Sequence, residues 1–126
     1  MPKHIPDVPE AAPGSLPFSN IVEANGFVFL AGQVGDTPGS HGAVPGGIEA
    51  ETRAMLDNVG RLLRSVGLDY GDVVKCTVYL RDFTDFAAMN AVYREYFPNE
   101  PPTRATVGVT ALAADYAVEI EVLAAR

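Results

Sequence analysis

Cysteine is almost missing from this chain. Cys76 is the only one among 126 residues, so no internal disulfide can form, and a reducing compartment, the cytoplasm, is expected. Cations are scarce as well: nine Lys and Arg stand against sixteen Asp and Glu, a formal net charge of −7. Binding to nucleic acid or to an anionic membrane surface needs clustered cations, so the charge balance argues against both partners. No apolar run reaches the length of a membrane span, and the first 14 residues lack the apolar core of a signal peptide. Histidine occurs twice, as His4 and His41, apart from any carboxylate pattern, so the usual metal-ligand spacing is absent and no metal is expected. A Ser-His-acid constellation is absent too.

Hydrophobic residues make up 48% of the chain, enough for a packed core and too many for disorder. The length suits one domain spanning residues 1–126, burying roughly two-thirds of its unfolded surface. Five prolines (Pro2, Pro6, Pro9, Pro13 and Pro17) crowd the start. Proline fixes φ and offers no N–H, so an extended arm is expected over about residues 1–17. Residues 18–23 suit a short strand. Asn25-Gly26 is a two-residue hairpin signal, and residues 27–31 are apolar on both faces, as in an inner strand.

Residues 32–47 hold six glycines but no Lys or Arg and no GxxxxGK[ST] pattern, so a mobile loop is expected rather than a phosphate cradle. Gly32 is set apart, because it ends a strand where a ligand can approach the backbone. Over residues 48–66, Met55, Leu56, Val59, Leu62, Leu63 and Val66 recur at helical spacing. Residues 73–81 alternate as a strand, with Val74, Cys76, Val78 and Leu80 on its apolar face. Thr84 is the expected cap of a second helix, whose core stripe is Phe86, Met89, Tyr93 and Phe97. Asn90 sits at the edge of that stripe, as an ordinary helix side chain or a group facing a subunit boundary.

Residues 101–126 carry two alternating runs. Thr103, Ala105, Val107 and Val109 share one face of the first, and Arg104, Thr106 and Gly108 the other. In the second, Val118, Ile120 and Val122 share a face opposite Glu119 and Glu121. A link over residues 112–116 would make the pair an antiparallel hairpin. The order is then β-β-α-β-α-β-β, an α+β sheet with both helices on one face. Its other face, expected to include Thr77, Tyr79 and Thr106, is too large to leave to water, so self-association with a site between subunits is expected.

Two groups suit chemistry. The Arg104 guanidinium matches a carboxylate in bidentate fashion. It can equally form an internal ion pair with Glu119 or Glu121, and one Glu can orient it while its other edge binds substrate. A carboxylate beside such a cation can hold and deprotonate a water. Cys76, on an apolar strand face, reads as a buried inert thiol.

Several blocks of sequence are distinctive together: Gly32-Gln33 after an apolar strand, Leu56-Asp57-Asn58-Val59, Gly71-Asp72-Val73-Val74-Lys75, Val78 through Phe83, Asp85 through Tyr93, Pro102-Thr103-Arg104 and Val118-Glu119-Ile120-Glu121. In these, from about Pro17 to Arg126, the chain resembles the RidA family, also called YjgF or endoribonuclease L-PSP. The resemblance implies a chorismate-mutase-like α+β fold and a homotrimer with clefts between subunits. It implies hydrolysis of 2-imino and 2-enamino acids, such as 2-aminoacrylate or 2-iminobutanoate, to 2-keto acids and ammonia, with no metal or organic cofactor. It places carboxylate capture on Arg104 and water handling on Glu119, with pocket-lining positions at Gly32 and Asn90. Three pocket positions depart from the best-studied branch: Phe18 for its Tyr, Ala31 for its Ser and Thr106 for its Cys. The lost hydroxyls shift substrate choice. Other readings of the same resemblance are a non-catalytic metabolite-binding or regulatory trimer, and a related deaminase of this fold acting on 2-aminomuconate. A ribonuclease is disfavoured by the acidic composition.

Overall fold

The computed structural model describes residues 2–8 and 16–126. Strand β1 (Ile21–Ala24) turns into β2 (Phe27–Val34) through Asn25 and Gly26, both at positive φ (53° and 80°), as a tight turn matched to the twist of two paired strands requires. Helix α1 (Gly47–Ser65) follows, then β3 (Val73–Leu80), helix α2 (Phe86–Tyr96), β4 (Thr103–Gly108) and β5 (Val118–Ala125). This is the α+β order expected. The expected extended arm lies partly outside the described residues. Within them, His4 exchanges two backbone hydrogen bonds of 2.8 Å with Glu23, laying that segment beside β1.

One mixed five-stranded sheet runs in the order β1-β2-β5-β3-β4. Its strands pair antiparallel except β3 with β4, which are parallel. The expected hairpin of residues 101–126 is therefore wrong: β5 lies between β2 and β3, while β4 sits at the sheet edge. The physical reason is the connection. Helix α2 carries the chain back from the end of β3 to the start of β4, and a crossover of that length joins parallel strands.

Both helices cover one sheet face. Met55, Leu56, Val59 and Leu63 of α1 and Met89 of α2 are fully buried against Val28, Cys76, Val78, Leu80, Val118 and Ile120. The helical stripes thus do what their spacing implies. At the start of β3 the expectation fails. The register shifts between Val73 and Lys75, so Val73 turns into the core and Val74 is left exposed. A bulge of this kind reverses which side chains face inward. The cap of the second helix differs as well: the Asp82 carboxylate accepts from the Thr84 backbone N–H (3.0 Å) and hydroxyl (2.7 Å), so Asp82 caps a short 3-10 turn leading into α2 and Thr84 is its partner.

The glycine-rich segment is fastened. Asn58 of α1, buried, donates through Nδ2 to the carbonyls of Val34 (2.8 Å) and Asp36 (3.0 Å) and to the Asp36 carboxylate (3.0 Å). From the far end of the chain, the Tyr116 hydroxyl accepts from the Gly42 N–H (2.9 Å). Among the described residues no helix is long and apolar enough to cross a membrane.

Asn58→Ala leaves those acceptors without their donor. The expected cost is about 1–3 kcal/mol of unfolding free energy, read as an earlier midpoint in urea with the slope unchanged.

Candidate functional site

Strand alternation decides where the charged groups go. In the parallel pair, Arg104 lies opposite Cys76 and Thr106 opposite Val78, and both of those β3 residues are fully buried on the helix side. Arg104 accordingly extends toward α2. Its guanidinium carbon sits 4.6 Å from the centre of the Tyr93 ring and 5.7 Å from that of Phe86. Both fall within the range of cation–π attraction. Asn90 lies four residues after Phe86 and three before Tyr93, which places it on the same helix face. The Thr106 hydroxyl oxygen is buried there without a hydrogen-bond partner.

The carboxylates are on the other side. In the β3–β5 pair, Glu119 lies opposite Tyr79 and Glu121 opposite Thr77, alternating with the buried Ile120. Glu119 and Glu121 therefore occupy the open face, and the expected coincidence with Arg104 and Thr106 does not hold. Nor does an internal Arg104 ion pair with either glutamate; among the described residues no carboxylate lies within ion-pairing distance of Arg104. The apolar side of β4 (Thr103, Ala105, Val107) is the one that faces outward with Tyr79.

Gly32 is built against Glu119. The β2–β5 register shifts between Leu30 and Gln33, and a Cβ on Gly32 would lie 2.4 Å from Glu119 Oε2. Only a residue without a side chain leaves the carboxylate where it is. Ala31, in the same bulge, is half-buried, and Phe18 is 57% exposed. The Tyr79 hydroxyl donates to the Glu121 carboxylate. Burial, and secondly the charge of Glu121, push the Glu119 carboxyl above its usual value. A depression of about 290 Å³ on the open face is lined by Phe29, Lys75, Thr77, Glu121 and Leu123 and includes neither Arg104 nor Glu119.

Two further residues shape the site. Glu51 is buried in α1, and its Oε2 accepts the N–H groups of Ala117 (2.6 Å) and Val118 (3.1 Å). It therefore fixes the start of β5, one residue before Glu119. Its place in the first turns of a helix suggested only a dipole contact; the long-range bond leaves no mark on periodicity. Tyr93 is the other, read from its spacing as core and interface rather than as a stacking platform. Cys76 is buried beside it, and burial pushes the thiol up to about 11, which suits the inert reading.

One chain thus carries a cation on an aromatic shelf and a half-buried carboxylate against a glycine, on opposite faces of an α+β sheet. The sequence model of the family described as endoribonuclease L-PSP matches residues 9–126, and the chain belongs to that family, the RidA/YjgF family. It is 42% identical over 116 residues to a RutC family protein of Pyrococcus horikoshii, covering 91% of this chain and 92% of that one. It is 40% identical to the 2-iminobutanoate/2-iminopropanoate deaminase of Mus musculus, covering 91% and 86%. Its structure resembles that of TdcF from E. coli with bound serine, with a TM-score of 0.83, 36% identity and 93% and 94% of the two chains covered.

The raised Glu119 carboxyl has a signed consequence. Its folded value lies above the unfolded one, so its contribution to stability is full below the unfolded value and is lost as pH rises through the folded one. Glu119→Gln should raise the melting temperature near neutral pH, and the gain should vanish below about pH 4.

Proposed function

We propose that this protein hydrolyses small 2-imino and 2-enamino acids to 2-keto acids and ammonia, as a homotrimer in which each site is completed by a neighbouring copy. The observation that carries this reading is Arg104: a guanidinium set against aromatic rings, with no carboxylate among the described residues paired to it. The name of the mouse relative and the amino acid bound in the E. coli structure point the same way, toward a small α-carboxylate ligand.

The chemistry follows from the groups. Arg104 of one copy grips the carboxylate through two parallel N–H bonds. Strand β4 is an edge strand, so backbone N–H groups near Thr106 face outward and are free to help. Asn90 and Thr106 line that side. Gly32, with Ala31 before it on β2 and Phe18 just ahead of the paired strand β1, presents Glu119 from the adjacent copy. Glu119 holds a water against the imine carbon and accepts one of its protons as the new C–O bond forms. That proton passes to nitrogen as the C=N π bond opens, giving the carbinolamine; the adduct's hydroxyl proton then moves through Glu119 to nitrogen as the C–N bond breaks, so that ammonia leaves and C=O forms. A carboxylate whose acid form is held above its ordinary value is a better proton acceptor than a free one. Imines already hydrolyse in water, so placing the reactants and stabilising modest charge suffices without a cofactor.

The test generates 2-aminoacrylate or 2-iminobutanoate in situ and follows keto-acid and ammonia release with and without the protein. Acceleration is expected. Removing one partner of a buried charge interaction costs about 2–5 kcal/mol, so Arg104→Ala should lose about 30-fold to several-thousand-fold in kcat/KM. Wild-type turnover by that variant contradicts the assignment, and ligand binding without any turnover by the parent chain favours a non-catalytic metabolite-binding trimer instead.

A further inference from the structure

We propose that Tyr93, with Phe86 beside it, is the positioning residue for Arg104: the two rings hold the guanidinium and leave its N–H edge free for a carboxylate. This rests on Arg104 as the carboxylate-binding group of the proposed reaction. Arg104 leaves an edge strand, where a long side chain ordinarily samples many rotamers. Here its guanidinium carbon lies 4.6 Å from one ring centre and 5.7 Å from the other, and among the described residues it has no hydrogen bond or ion pair to hold it. The rings are what fix it. A guanidinium is planar, with its five N–H donors lying in the plane. Contact with π faces therefore restrains the group without occupying a single donor, whereas an ion pair to a glutamate would use the edge that the substrate needs.

The shelf is itself rigid. Tyr93 is 7% exposed, and its ring packs on Phe97 with centroids 4.7 Å apart. Phe86 stacks on Phe83 with centroids 5.1 Å apart and planes at 19°. The Tyr93 hydroxyl is buried beside the Cys76 thiol and makes no hydrogen bond to the guanidinium, so the ring rather than the hydroxyl is assigned the positioning role. The sequence carries this device as Phe86 and Tyr93 seven residues apart on α2, facing Arg104 across the β3–β4 pair.

The experiment measures binding of 2-oxobutanoate, the keto-acid product, by calorimetry, alongside kcat and KM for in situ 2-iminobutanoate. Tyr93→Leu should weaken binding and raise KM by about 2- to 30-fold with a smaller change in kcat, and Tyr93→Phe should stay within about twofold of the parent. In an Arg104→Ala background, Tyr93→Leu should weaken binding no further, because there is no guanidinium left to position; a purely structural role would lower both backgrounds alike. If Tyr93→Leu does not fold, Phe86→Leu, at a less buried position, decides by the same readouts. Parent-like binding in the leucine variants, or equal losses in both backgrounds, overturns the shelf while the hydrolase reading stands. A parent protein that neither binds the keto acid nor turns over the imine overturns both.

Discussion

A cation on one face of a sheet and a carboxylate on the other cannot meet within one chain. That separation is imposed by strand alternation, and the rest of the molecule is arranged around it. Arg104 is in register with Cys76 and Glu119 with Tyr79. On β3 those two residues are three apart, an odd number, so they point to opposite sides. No rotamer change bridges a sheet. Any chemistry that needs both groups therefore needs a second copy of the chain, and in the proposed assembly each copy would serve as the cation side of one site and the carboxylate side of another. The open face, where Phe27 and Phe29 are 44% and 46% exposed, is the surface such a neighbour would cover.

Each half-site is held by contacts that do not consume the reactive group. Arg104 is restrained through aromatic faces. Glu119 has room because Gly32 carries no side chain, and its strand β5 is anchored. Glu51 secures that anchoring with a buried carboxylate, which burial pushes up while the Ala117 and Val118 N–H groups pull it down. Leaving Glu119 half-buried next to Glu121 costs stability as pH rises. A protein optimised for stability alone would place glutamine there, and the tension between stability and a usable proton acceptor is a common mark of functional positions.

Much of this was legible in the sequence. The two helices announced themselves through stripes such as Met55-Leu56-Val59-Leu63, since each apolar residue had one possible destination. The Asn25-Gly26 turn was legible because few residues accept positive φ. Pairing was not. Two alternating runs joined by a short link look like a hairpin, and nothing local in residues 103–122 reveals that β5 inserts between β2 and β3. The alternation of β4 was read correctly and its orientation inverted: at a sheet edge the helix layer covers only part of the strand, so the apolar side of Thr103, Ala105 and Val107 is free to face outward. The bulge that exposes Val74 is equally invisible to a period-two reading. Arg104, the two glutamates, Gly32 and Asn90 stood out from residue type and spacing, and the resemblance to the RidA family assigned roles to Arg104, Glu119, Gly32 and Asn90. The shelf under Arg104 needed the three-dimensional arrangement, because Phe86 and Tyr93 had already been accounted for as core.

The most direct test of two half-sites on separate faces mixes the Arg104→Ala and Glu119→Gln variants, each expected to be impaired alone, unfolds them together and refolds them as one assembly. If sites form between copies, random mixing restores up to about a quarter of the parent sites, and imine hydrolysis returns in that proportion. If one chain supplies both groups to its own site, every site in the mixture lacks one of them. Activity that stays at the level of the separate variants, in an assembly shown to contain both, contradicts the account.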